Sequence, residues 1–243
     1  MQHIRRALLG TCIGLALAGN GAIGRAADYK LSTLEWAPYT GANLPRQGSI
    51  SANITESLKM TGYSAEILFF PWTRAIKLVD TDPSYIGFFP AHYSRERAAN
   101  YLYSDPVGTS TVVFLQRTAQ PLRWTQYSDL AGKRIGVVRG FVNTEALDAM
   151  ISTKAVIAEE SADDRANILK LVSERVDAAV VDMQIYEHLV QTDPQIAQAA
   201  ARLQFNAKPL EVKNLYVCFK RSAAGEIALR ALNTGLRKLR PLP

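Results

Sequence analysis

The sequence predicts an α/β fold with largely parallel sheets, built in two successive cycles. Short β-branched and aromatic runs alternate with helix-period stretches from residue 28 onward. Connections are short, which places helices on sheet faces and ligands at strand C-terminal ends. A polar, proline-containing run, Arg117-Thr-Ala-Gln-Pro121, separates the cycles.

In the first cycle, residues 29–34 read as a strand. Residues 49–59 read as a helix, with Ile50, Ile54 and Leu58 on one stripe and Gly62 placed to stop it. A strand at 65–70, a short helix at 73–79 carrying Ala75, Ile76 and Val79 inward, and strands at 85–89 and 112–115 follow. In the second cycle, residues 130–134 lead into a strand at 135–138, and Gly140 turns the chain. Asn143 or Thr144 caps a helix carrying Leu147 and Ile151. A strand at 155–158 precedes a helix capped by Asp163 or Asp164 and carrying Ile168, Leu169 and Val172. Residues 178–181 are a strand, and 184–190 a helix stopped by Asp193-Pro194. Strands at 203–205 and 215–219 and a helix at about 224–239 complete the chain.

The N-terminus reads as a secretion signal. Arg5 and Arg6 form a basic start, residues 7–19 a short apolar core, and Gly24-Arg25-Ala26 a small-residue cleavage site. Cleavage is expected after Ala26. The formal charge of +6 then loses Arg5, Arg6 and Arg25, leaving 25 basic against 22 acidic residues. That excess is too mild and too scattered to suggest nucleic acid. Of the two cysteines only Cys218 lies beyond the signal, so the mature chain forms no internal disulfide and no thiolate metal site. The two histidines left, His92 and His188, are too few and too far apart for a zinc site. No cofactor is expected. Gly-x-Ser-x-Gly, His-Glu-x-x-His and phosphate-cradling glycine motifs are absent, which argues against an enzyme.

One cation and one anion stand out. Arg97 precedes a short strand that ends in Ser104-Asp105-Pro106, and its planar fork suits a carboxylate. A surface pair with Glu96 is the competing reading. Asp182 follows four small or branched apolar residues; it reads either as the cap of the next helix or as an ammonium acceptor. Carried on two α/β units, the pair would hold a small zwitterion. Trp36 and Tyr39 follow the first strand, and Trp72 and Arg74 the second; such aromatics either line a pocket or pack on the following helix. His92 lies between a strand and Arg97.

Four motifs resemble the bacterial extracellular solute-binding proteins of family 3, receptors for polar amino acids that serve ABC transporters. Trp36-Ala-Pro38-Tyr39 resembles an aromatic-x-Pro-aromatic turn that stacks on the ligand. Glu96-Arg97 with Tyr103-Ser104-Asp105-Pro106 resembles the signature whose arginine grips the ligand carboxylate. The run 130–140 resembles the start of the second lobe, and Val176 to Asp182 the segment whose final aspartate takes the ligand ammonium. The resemblance implies a two-lobed periplasmic-binding-protein fold of type II with a hinge of two crossing strands. It implies residues 27–116 and 211–243 in lobe 1 and 117–210 in lobe 2. It further implies a monomeric periplasmic protein that captures a small amino-acid-like or organic-acid solute and delivers it to an inner-membrane permease. An enzyme on the same scaffold, such as a cyclic-acid dehydratase, and a sensory binding module are the alternatives. Phe89-Pro90-Ala91-His92 and Phe141-Val142-Asn143 stand where family members carry small hydroxyl residues. The expected ligand-binding set is therefore Trp36, Tyr39, Trp72, Arg74, Phe89, His92, Arg97, Phe141, Asn143 and Asp182, with a more apolar pocket than the family's.

Overall fold

The computed structural model describes residues 28–239. The expected signal segment lies outside them. In chain order the elements are β1 (Tyr29–Thr33), α1 (Ser49–Lys59), β2 (Ala65–Phe69), α2 (Trp72–Thr81), β3 (Tyr85–Ala91), α3 (Arg95–Asn100), β4 (Tyr101–Tyr103) and β5 (Gly108–Arg117). There follow β6 (Arg134–Val138), α4 (Glu145–Ser152), β7 (Ile157–Ser161), α5 (Asp164–Val172), β8 (Ala178–Asp182), α6 (Met183–Thr192), α7 (Pro194–Ala199), β9 (Leu203–Phe205), β10 (Glu211–Lys220) and α8 (Ala223–Leu239). No helix among the described residues is long and apolar enough to cross a membrane.

The strands run in the order β2-β1-β3-β10-β5-β8-β6-β7. Two parallel blocks, β2-β1-β3 and β8-β6-β7, are joined only through β5 and β10. Each of these two ten-residue strands is shared. The first half of β10 pairs antiparallel with the first half of β5, from Glu211↔Val112 to Leu215↔Gly108. The second half of β10 pairs with β3 and β4, and the second half of β5 with β8 and β9. Packing changes along the same two strands. Val107, Leu215, Val217 and Phe219 belong to a first core with Leu31, Ile54 and Phe88, whereas Val112 to Leu115 belong to the cores around Leu130, Ile135 and Ile168. The crossover thus sits inside the strands; Arg117 itself is tied to the second block through Leu171 O (3.0 Å) and Val176 O (2.8 Å).

Local chemistry explains most element boundaries. Thr144 caps α4 by accepting from Leu147 N–H, and Asp163 caps α5 by accepting from Ala166 N–H. Asp193-Pro194 does more than stop α6. Asp193 ends that helix and caps α7, whose first residue is Pro194, the position where a missing N–H costs nothing. Helix α3 is six residues long, too short to show a stripe, and is started by Ser94. The alternating apolar face of α8 rests on α1 so closely that a Cβ on Gly235 would stand 1.8 Å from Ser57 O. Gly235→Ala is therefore expected to lower stability by about 1–3 kcal/mol despite its better helix propensity, read from the urea unfolding midpoint. An unchanged or raised midpoint would contradict this packing.

Candidate functional site

Seven of the ten expected residues converge where the two blocks face each other. The turn after β1 is closed by Trp36 and Tyr39 N–H groups bonding to Thr40 O and Trp36 O, which stacks the two rings 4.8 Å apart. From this turn, the Tyr39 hydroxyl donates to Asp182 Oδ1 and Oδ2 at 3.2 and 3.1 Å. Trp72, the first residue of α2, donates its indole N–H to Gly140 O at 2.9 Å. Phe141 meets Trp36 and Trp72 edge-on, at 6.0 and 6.1 Å. His92 Nδ1–H donates to Val142 O at 3.0 Å, so Nε2 carries the lone pair; that atom is sealed from solvent and has no partner.

Arg97 does not pair with Glu96. Its guanidinium donates to His92 O (3.3 Å) and Gly140 O (3.4 Å) and lies over the Trp72 and Phe88 rings, 5.7 Å from each. These are long, neutral acceptors, weaker than the carboxylate the fork is built for. Asp182 shows that its two sequence readings are compatible. Oδ1 caps α6 by accepting from Gln184 and Ile185 N–H at 2.8 and 3.1 Å. Oδ2 faces the crevice, where the Ser110 hydroxyl donates to it at 2.6 Å. Burial raises the Asp182 pKa, and the bonds from Ser110, Ile185 and Tyr39 oppose that rise.

Asn143 is buried beside the crevice, but its amide is committed to Asp148, at 2.7 Å from Nδ2 and 3.1 Å from the backbone N–H. Its carbonyl accepts from Lys213 on β10. Two expected residues lie elsewhere. Arg74 is exposed on α2, over Phe70 at 5.4 Å, because two residues beyond the inward Trp72 is about 200° around the helix. Phe89 is fully buried in the first core; Phe88 takes the face toward Trp72 and Arg97, so its neighbour takes the other.

Sequence reasoning missed Asp164, Ser110 and Lys213 as site residues. The doublet Asp163-Asp164 offered two caps. Asp163 takes that role, and Asp164 turns inward to accept from the Trp36 indole at 2.9 Å. Asp164 is 6% exposed, and its pKa is pushed up to about 7 by burial and then by the charge of Asp182, against the Trp36 bond. His92 is pushed down to about 4 by burial and by the Lys213 charge.

Two small cavities, each of about 20 Å³, remain at this junction. Arg97, Trp72 and Pro90 line one; Ser110, Asp164 and Asp182 line the other; Trp36, His92, Phe141 and Val142 line both. They are therefore the two ends of one closed crevice with a cation at one end and two carboxylates at the other. Among the described residues no cluster of His, Cys, Asp or Glu is arranged to hold a metal ion.

No family model matches the sequence, and no curated protein is similar to it. Solved structures do share the fold. Holo ArgBP from T. maritima superposes with a TM-score of 0.70 at 20% identity, over 88% of this chain and 92% of that one. The L-glutamate complex of the GluR0 ligand-binding core from Nostoc punctiforme gives 0.68 at 14%, over 87% and 92%. A histidine kinase sensor domain with similarity to periplasmic binding proteins gives 0.73 at 16%, over 88% and 91%. The chain therefore has the two-lobed periplasmic-binding-protein fold.

The two titrating groups have opposite signs. The Asp164 pKa is above its ordinary 3.8, so its contribution to stability is full below about pH 4 and is lost as pH rises to about 7. The His92 pKa is below its ordinary 6.5, so its contribution is present above pH 6.5 and is lost as pH falls to about 4. Asp164→Asn is expected to gain stability relative to wild type by up to ~1.4 kcal/mol per pH unit between those limits. His92→Gln is expected to gain relative to wild type as pH falls through its own window. Urea unfolding from pH 4 to 8 checks both; parallel curves for the variants and wild type would contradict them.

Proposed function

We propose that this chain is an exported solute-binding protein, a divergent member of extracellular family 3, that closes on a small solute bearing both an acid and an amine. The observation that carries this reading is the crevice itself. Among the described residues Arg97 has no carboxylate within ion-pair distance and Asp164 and Asp182 have no cation, and the two ends share four wall residues. A guanidinium and buried carboxyl groups without opposite charges, held apart in one cleft, match the two ends of a zwitterion.

Closure follows from the topology. The blocks meet through two crossing strands, and the polar contacts across the crevice run between residues of opposite blocks: Trp36 to Asp164, Tyr39 to Asp182, Trp72 to Gly140 and His92 to Val142. Each 20 Å³ cavity holds about one water-sized group, so a larger solute enters by separating the blocks or swinging the Trp36 and Phe141 rings. Contacts made with both blocks then favour the closed form. On this reading the lobe divide runs through the middle of β5 and β10, a few residues inside the expected 116/117 and 210/211 boundaries.

Delivery to an ABC permease in the inner membrane, from a monomer in the periplasm, is the role this proposal assigns. Permease and ATPase genes beside its own would support transport; a sensor kinase gene there would reassign the same cleft to signalling. The solved neighbours named for arginine and glutamate binding support binding rather than turnover as its task.

A thermal-shift screen of amino acids and small organic acids tests the reading. Hits on the wild-type protein are expected to vanish in Arg97→Ala, with affinity falling roughly 100-fold, the size of a lost charged hydrogen bond. Hits that bind Arg97→Ala with unchanged affinity would overturn the assignment.

A further inference from the structure

We propose that a groove beside the crevice holds the hydrocarbon body of the solute, which makes the substrate class amino-acid-like molecules with an apolar side chain. The inference rests on the crevice reading above and narrows it. The groove encloses about 580 Å³, within the ~300–1,000 Å³ of small-molecule sites. Its wall is mostly hydrocarbon: Phe69, Phe70, Trp72, Phe141, Ile185 and Leu189. Four of these, Phe69, Phe70, Phe141 and Leu189, pack on the first core yet stay only half-buried, so apolar surface of both blocks faces one concavity.

The groove shares walls with the crevice. Trp36, Trp72 and Phe141 also line the Arg97 cavity, and Asp164 also lines the carboxylate cavity. A solute extending outward past those rings runs along this wall. Of the charged groups that line it, Arg165 is bound to Asp193 and Gln195, Asp163 caps α5, Glu35 accepts from Ala42 N–H at the exposed edge, and Asp164 accepts from the Trp36 indole. A guanidinium or carboxylate side chain lying along the Phe69, Phe70 and Leu189 wall would lose water against hydrocarbon.

The inner end fixes the head group. Asp164, Asp182 and His92 line one 20 Å³ cavity, and none of the three has a basic side chain within ion-pair distance among the described residues. All three are acceptors. An ammonium group is about the size of a water and carries three N–H donors, which suits a cavity walled by two carboxyl groups.

Isothermal titration of the full chain with L-alanine, L-2-aminobutyrate, L-norvaline and L-norleucine, alongside L-arginine and L-glutamate, tests the proposal. Affinity is expected to rise about fourfold per added methylene, with norleucine binding tighter than arginine or glutamate. In Leu189→Asp the rise with chain length is expected to be lost. If alanine binds but the series is flat, or arginine or glutamate binds best, the groove proposal fails and the crevice reading stands. If none of the six binds, both fail. The wild-type series alone decides, whatever the folding of the Leu189 variant.

Discussion

A carboxylate sealed from water has to be answered by donors, and this requirement organises the junction. Leaving a buried charge unanswered costs several kcal/mol. Asp182 and Asp164 both sit on the second block, each 4–6% exposed, and among the described residues no basic side chain reaches either. Part of the answer is local: the α6 N-terminus and Ser110 serve Asp182. The rest comes from the first block, as the Tyr39 hydroxyl and the Trp36 indole. Those two bonds exist only when the blocks meet. Closing therefore exchanges water for aromatic donors, and burial leaves both acids with raised pKa values. A cation entering at this point would offset the remaining desolvation cost, which gives a bound solute a physical reason to favour closure.

The crossing strands contribute chemistry as well as connection. Ser110 on β5 and Lys213 on β10 are register partners in the ladder that joins the blocks. One secures Asp182; the other reaches Asn143 O and pairs with Glu211 at 3.5 Å. Burial lowers the Lys213 pKa, and its charge helps keep the His92 ring neutral. Bending at this ladder would move the groups that hold Asp182 and Asn143.

Much of this was legible in the sequence because it is local. Stripes such as Ile50, Ile54 and Leu58 name a helix face without knowing its partner, and caps such as Thr144 and Asp163 need only the next turn. What escaped is set by distant chain. The full length of β5 and β10 depends on pairing with four other strands, so only their apolar middles were visible. Asp164 looked like a spare cap because the indole that claims it lies 128 residues away. Arg74 and Phe89 lie off the crevice for a geometric reason. A motif shows which segment reaches the cleft, but helix pitch and strand alternation decide which of its side chains faces in.

Native mass spectrometry of the protein purified from its own host, without any step that strips ligands, tests the central claim most directly. A small bound molecule that carries both an acidic and a basic nitrogen group is expected on release, present on wild type and absent from Arg97→Ala. A bound molecule lacking either group, or one carried equally by both proteins, would contradict it.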